Sequence, residues 1–354
     1  MDFNALITTF TANVPTASSF LAQTIVSAFI SAMFSKKIEE KTVVYEAKVK
    51  YVDQIIDELR RDNLITATEY LKCKNLSDIA ELADKARAKQ EKANPGASKD
   101  TAQSQYDFAW LWRFFERAGY ANNEEMKKLW AAVLNGEICH SGQFSYKAIE
   151  TLFHMSPIEA RGFQNMAQFA FVTPFQECLL PSSEEMYDEY DVTAPCVVNG
   201  HSDIYSILAA AYGITNEKVM YLEEYGLLSP TLTESSFSVT HDPIYIANDD
   251  YVMQIKLKET CDLESLEFDV CGHRFTSVAR QLFAILEDRP SLSCFLDYAR
   301  LIELRYSEMD VQVFRIIEIN DENGMIIDDS VNYLRNPECE SMTRLGDIGD
   351  IDIV

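Results

Sequence analysis

The chain has 354 residues, is 47% hydrophobic and 11% aromatic, and carries a formal net charge of −25. That apolar content excludes a disordered chain, and the length allows two or three domains with their own cores. The charge disfavours duplex nucleic acid as a partner, because phosphate backbones are bound through Lys and Arg.

The excess is unevenly placed. Residues 1–137 hold 18 Lys/Arg against 19 Asp/Glu, and residues 138–354 hold 13 against 37. Eight cysteines are scattered without a Cys-x-x-Cys pair, as expected of reduced thiols in a cytoplasmic protein. The opening Met-Asp-Phe-Asn lacks the positive charge that precedes the apolar run of a secretory signal.

From Phe3 to Ser35 there is no charged side chain over 33 positions. The helix expected over Pro15–Ser35 is roughly 31 Å long, close to the thickness of a bilayer core. Ser19, Gln23, Ser27, Ser31 and Ser35 recur every four residues, with Thr24, Ala28 and Ala32 beside them, forming a small, weakly polar seam. Such a seam lets helices approach closely. Two readings stay open: a central helix of a bundle, or a segment in lipid. On either, Ser19, Gln23, Ser27, Ala28, Ser31 and Ala32 are the interface.

Lys36 to Asp62 has the spacing of an amphipathic helix, with Val43, Ala47, Tyr51, Ile55 and Leu59 on its apolar side. Thr66-Ala-Thr-Glu69 has the form of a capping box and predicts a second helix to Lys92. Residues 36–93 are thus a pair of amphipathic helices, and Asn94-Pro-Gly-Ala-Ser-Lys99 is the expected linker and domain boundary.

Residues 102–180 read as a compact helical domain. Phe108, Leu111, Trp112, Phe115 and Ala118 form one apolar face, ended by Gly119. Asn122 and Asn123 cap a helix bearing Met126, Leu129, Trp130 and Val133, closed by Gly136. Ser145 caps a third, and Pro157 opens a fourth, where its missing N–H costs nothing. Trp112 and Trp130 are expected as core anchors. Glu137 is expected as a buried, hydrogen-bonded carboxylate fixing the next loop.

Ser182–Asp191 is an acidic stretch holding Glu184, Glu185, Asp188, Glu189 and Asp191 with no cation. Residues 200–335 then follow the order of an α+β, winged-helix-like domain: short helices near Ser202 and Asn216, Gly226-Leu-Leu, strands near Tyr245–Leu257 and Leu266–Val270, a helix at Phe275–Leu286, and a strand at Val311–Ile319. The second helix carries Glu217, Glu223 and Glu224, which argues against base reading. Residues 336–354 form an acidic tail whose end alternates Asp with Ile, the pattern either of a disordered segment or, preferred here, of a strand docked on the edge of a sheet. The expected fold is mainly α and multi-helical, with a small α+β part towards the C-terminus.

Asp107–Glu116, Glu124–Ile138, Gly142–Leu152 and Ser156–Phe163 together resemble an uncharacterised bacterial family of domains of unknown function, and the likeness continues loosely to Tyr225-Gly-Leu-Leu. Two positions depart from its pattern: Asn135 stands where alanine is usual, and Ser141 where proline is usual. The resemblance implies a bacterial protein from mobile-element or phage-defence loci and supplies no catalytic residues.

No phosphate loop, nucleophile elbow or His-Glu-x-x-His helix occurs, so no cofactor is predicted. Cys139-His140 places nucleophile and base side by side on a helix, a poor arrangement for pairing them. Cys261, Cys271 and His273 lack the knuckle spacing of a zinc site. Asp242, Asp249 or Asp250 followed by Gln254 and Lys256, the last two on one strand face, is a faint nuclease-like pattern, with Gln where a second carboxylate is usual. The leading expectation is a non-enzymatic protein that assembles with itself or a protein partner, plausible in antiviral defence or stress response. The alternatives are a membrane-acting effector inserting residues 15–35, and a metal-dependent nuclease.

Overall fold

The structure, a computed structural model, describes residues 52–93, 107–168, 170–172, 192–195, 207–208, 211–248, 250–286, 292–320 and 324–340. The uncharged segment 1–35, with its six interface positions, the acidic stretch 182–191, Asp249 and the tail 341–354 lie outside these residues. The chain divides into two compact units between Pro157 and Ile158.

In the first unit, helix α1 (52–61) buries Val52 and Ile56, one position round from the expected Tyr51, Ile55 and Leu59. Helix α2 (Ala67–Ala93) starts as predicted. Glu69 accepts from the Thr66 N–H at 2.7 Å, and Thr66 Oγ1 accepts from the Glu69 N–H at 3.3 Å, a reciprocal capping box. Helices α3 (Phe108–Ala118), α4 (Glu124–Cys139) and α5 (Tyr146–His154) are capped by the side chains of Asp107, Asn123 and Ser145, each accepting a first-turn N–H.

The expected boundary at 94–99 does not separate domains. Helix α2 packs along α4, Asn75 Nδ2 donates to the Gly119 carbonyl at 2.9 Å, and Lys127 Nζ reaches Asp78 at 2.6 Å. Ile79 and Ala80 of α2 are buried.

Two further expectations are corrected. Gly136 does not end α4; the helix runs on to Cys139. Glycine is needed there for space, since a Cβ would lie 2.7 Å from Phe144 Cε2 and 2.8 Å from Gln143 Oε1. The anchor on α3 is Trp110, 4% exposed, whereas Trp112 is 41% exposed. The buried face is therefore Trp110, Leu111, Phe114, Phe115 and Ala118, an i, i+1, i+4, i+5, i+8 stripe. Trp110 stacks on Phe114 at 5.4 Å, and Phe114 meets Trp130 edge-on at the same distance.

The second unit opens with α6 (Pro157–Ala167) and is α+β. Strands β1 (Phe171–Val172), β2 (Val192–Pro195), β3 (Leu228–Val239) and β6 (Leu266–Phe275) form an antiparallel sheet in the order β1-β2-β6-β3. Strands β4 (Ile244–Ala247), β5 (Tyr251–Leu257), β7 (Met309–Asn320) and β8 (Gly324–Asp328) form a second in that order. Helix α7 (Asn216–Glu224) lies on β3, α8 (Ser277–Phe283) on β6, and α9 (Leu292–Arg305) across β7 and β5. A 3-10 turn (Tyr333–Arg335) and α10 (Pro337–Glu340) follow.

Two four-stranded sheets make the architecture mixed α+β rather than mainly α, and exceed the strand content that the winged-helix order predicts. Strands β1, β2, β3 and β8 are not expected from the sequence, and β3, the longest of them, has six Ser/Thr and Pro230, the composition of a loop. Pairing to β6 holds it extended, and Pro230 falls where the ladder breaks between Leu228 and Leu232. The expected single run Tyr245–Leu257 is a hairpin, turned by Asn248, whose Oδ1 accepts from the N–H groups of Asp250 and Tyr251.

Gly136→Ala tests the close approach of α4 to Phe144. The added methyl should destabilise the first unit by about 1–3 kcal/mol through overpacking. All three tryptophans (110, 112, 130) lie in this unit, so urea unfolding followed by tryptophan fluorescence reads it selectively; an unchanged midpoint contradicts the packing.

Candidate functional site

The site is built on the loop between α4 and α5. Glu137, 4% exposed, accepts from the Gly142 N–H through Oε1 at 2.7 Å and from the Phe144 N–H through Oε2 at 3.2 Å. The Trp110 indole N–H donates to the Phe144 carbonyl at 2.6 Å. The loop is thus held through both backbone groups of Phe144. Gly142 takes φ +91°, a conformation that favours glycine. Burial pushes the Glu137 carboxyl above its usual range, and the two N–H bonds pull it partly back.

Fixing this loop sets α5 against α3, and their outward stripes meet. Arg113, Arg117 and Tyr120 stand at i, i+4, i+7 along α3 and just beyond it; Tyr146, Glu150 and Phe153 repeat the spacing on α5. The Arg113 guanidinium lies 5.1 Å from the Tyr146 ring centroid, and that of Arg117 lies 4.8 Å from Phe153. Phe153 contacts Tyr120 at 5.9 Å, and Lys72 Nζ sits 3.8 Å over Tyr120. Glu150 lies between the arginines, 3.1 Å from Arg117 Nε and 3.6 Å from Arg113 Nε. At one end the Tyr146 hydroxyl donates to Asp107 at 2.5 Å and holds that carboxyl below its usual range.

The result is a continuous surface of alternating rings and cations, with three cations (Lys72, Arg113, Arg117) to two carboxylates (Glu150, Asp107). Stacking on arenes fixes the guanidinium planes, and the contacts with Glu150 run through Nε. Such a surface can hold carboxylate- or phosphate-bearing groups beside aromatic ones.

Trp130 is buried in the core beneath this surface, and Trp112 is exposed on α3. The nuclease-like residues are not brought together. Gln254 and Lys256 share the outer face of β5, where Gln254 Nε2 donates to the Tyr245 hydroxyl and Lys256 pairs across the sheet with Asp310. Asp250 precedes the strand, about 13 Å from Gln254 at the rise of an extended chain. Asp242 lies at the opposite end, beyond Ile244, which pairs with Ile255. Among the described residues no group of three or more His, Cys, Asp or Glu is placed to hold a metal. His273 Nδ1 is taken up by the Ser229 carbonyl at 2.8 Å and Glu223 at 3.2 Å. Burial pushes the Cys73 thiol up to about 12, away from nucleophilic use. Among the described residues no helix is long and apolar enough to cross a membrane.

The sequence held a signal for the ring–cation surface in the matching 113/117/120 and 146/150/153 spacings. A search for apolar faces passes over it. A second polar group went unread because its members are distant in sequence: the Tyr212 hydroxyl donates to the fully buried Asp297 at 2.7 Å, beside Cys294, whose thiol lies 4.0 Å from Gln168 Oε1.

Fold and site together define an α+β chain whose helical unit carries an exposed ring–cation surface. The chain belongs to the family described as protein of unknown function (DUF2806), whose model matches residues 60–298. No curated protein and no solved structure matches it.

The loop clamp is tested by Glu137→Ala, which leaves two backbone donors unmet and should cost at least about 1–3 kcal/mol. A raised folded pKa means the native chain holds this proton more tightly than the unfolded chain does. The stabilising contribution is then full below the ordinary 4.5 and declines as pH rises through the raised value. Fluorescence-detected urea unfolding should show a larger gap between wild type and variant at about pH 4.5 than at about pH 7.5; the opposite trend contradicts the burial assigned to Glu137.

Proposed function

We propose that this chain is a non-enzymatic interaction protein that assembles with itself or with a protein partner through its helical unit. The observation that carries this is the ring–cation surface of α3 and α5, where Tyr120 and Tyr146 stand exposed among Lys72, Arg113 and Arg117. Exposed aromatics and arginines are the residue types that dominate protein interfaces. A bacterial, cytoplasmic setting in phage defence or stress response belongs to the same proposal, supported by the resemblance of Asp107–Phe163 and by the charge that disfavours nucleic acid.

The winged-helix reading enters here as a protein-contact module. Its second helix, α7, carries Glu217, Glu223 and Glu224, and its Lys218 Nζ is donated to the Gly213 carbonyl at 2.6 Å. A second reading, insertion of residues 15–35 into a membrane, is favoured by the uncharged run from Phe3 to Ser35.

Sedimentation velocity separates these readings. The full chain should run above single-chain mass, or shift when its partner is added, and Lys72→Gln with Tyr120→Ser should reverse the effect while α3–α5 stays folded. A chain that stays single in bacterial extract, with or without these changes, contradicts the proposal. For the second reading, the full chain should float with phosphatidylglycerol-containing vesicles and lose this on removal of residues 1–35; recovery wholly in the aqueous layer sinks it.

A further inference from the structure

We propose that Arg113 and Arg117 are the receptor for the acidic, tyrosine-bearing stretch Ser182–Asp191 of a second copy of this chain. This rests on the self-assembly reading above and names the contact that performs it.

Three observations converge on this pairing. The first is preorganisation: the guanidiniums lie over Tyr146 and Phe153 at 5.1 and 4.8 Å, so little side-chain freedom remains to be lost on binding. Their side chains are 46% and 34% exposed, and one carboxylate, Glu150, lies between the two. A planar fork of this kind takes a carboxylate in bidentate fashion.

The second is spacing. Residues four apart on a helix are separated by about 6 Å of rise, and alternate side chains of an extended segment by about 6.6 Å. Glu189 and Asp191, once bound in extended form, match the two arginines. Tyr187, on the same face of such a segment, is then available to Tyr120, which is 52% exposed.

The third is the distribution of charge. Residues 1–137 are nearly balanced and residues 138–354 carry almost all of the excess, with five carboxylates and no cation in Ser182–Asp191. The arginines and the densest acidic stretch are thus of opposite charge and attract. A contact between two different patches either closes reciprocally about a two-fold axis or builds head-to-tail assemblies.

The test combines a peptide with complementation between full-length chains. A fluorescent peptide of residues 182–191 should bind the full chain saturably in anisotropy titrations. Arg113→Gln with Arg117→Gln should weaken it by about tenfold or more, with the tryptophan-monitored unfolding midpoint retained. A peptide with its five carboxylates replaced by amides should not bind. In sedimentation, the arginine-substituted chain and a chain amidated at Glu184, Glu185, Asp188, Glu189 and Asp191 should each run as single chains. Mixed, they should form a dimer that grows no further, since one supplies the stretch and the other the arginines. A wild type that assembles but ignores both sets of changes overturns this contact and leaves the self-assembly reading standing; a wild type that never assembles overturns both. A single-stranded oligonucleotide bound through the same arginines, with the peptide unbound, also overturns it.

Discussion

One buried carboxylate organises the helical unit. Glu137 satisfies the N–H groups of Gly142 and Phe144 in a loop that leaves α4 and turns at once into α5. With the Trp110 indole taking the Phe144 carbonyl, the main chain there has partners on both sides. A buried charge is costly unless well hydrogen-bonded, and these bonds offset part of that cost, burial still leaving the carboxyl above its usual range. Gly136 lets the Phe144 ring close over α4, and Ser145 starts α5 from a defined point. The surface placement of Arg113, Arg117, Tyr146 and Phe153 follows from that arrangement.

The local signals were legible in the sequence. The Thr66/Glu69 box, the Asn123 and Ser145 caps and the N-terminal Pro157 each start a helix as predicted, because capping depends on side chain and backbone within one turn. What depended on distant partners was not legible. Trp110 and Trp112 are equivalent in composition, and a short apolar helix offers several plausible faces; the carbonyl of Phe144, 34 residues away, selects Trp110. Strand β3 has no apolar alternation and is held by β6. Gly136 has the composition of a helix end, and only the ring beside it shows why the helix continues.

The same limit applies to the sites. The nuclease-like pattern was read along one strand, while the register places Asp242 and Asp250 at opposite ends of β5. The ring–cation surface joins residues from 72 to 153, and each member has an ordinary solvent-exposed character by itself. Its chemical meaning arises from adjacency, with guanidiniums over rings and one carboxylate between them. The balanced charge of the front of the chain and the acidic excess of the back give this surface its contrast with the rest of the molecule.

The account stands on the Glu137 carboxylate holding the α4–α5 loop, and amide hydrogen exchange at Gly142 and Phe144 tests it most directly. Both N–H groups should exchange far more slowly than amides of an open loop in the wild type, and both should lose protection in the Glu137→Ala chain while the core of α2 keeps its own. Fast exchange at these two amides in the intact protein, or protection indifferent to the loss of the carboxylate, would contradict it.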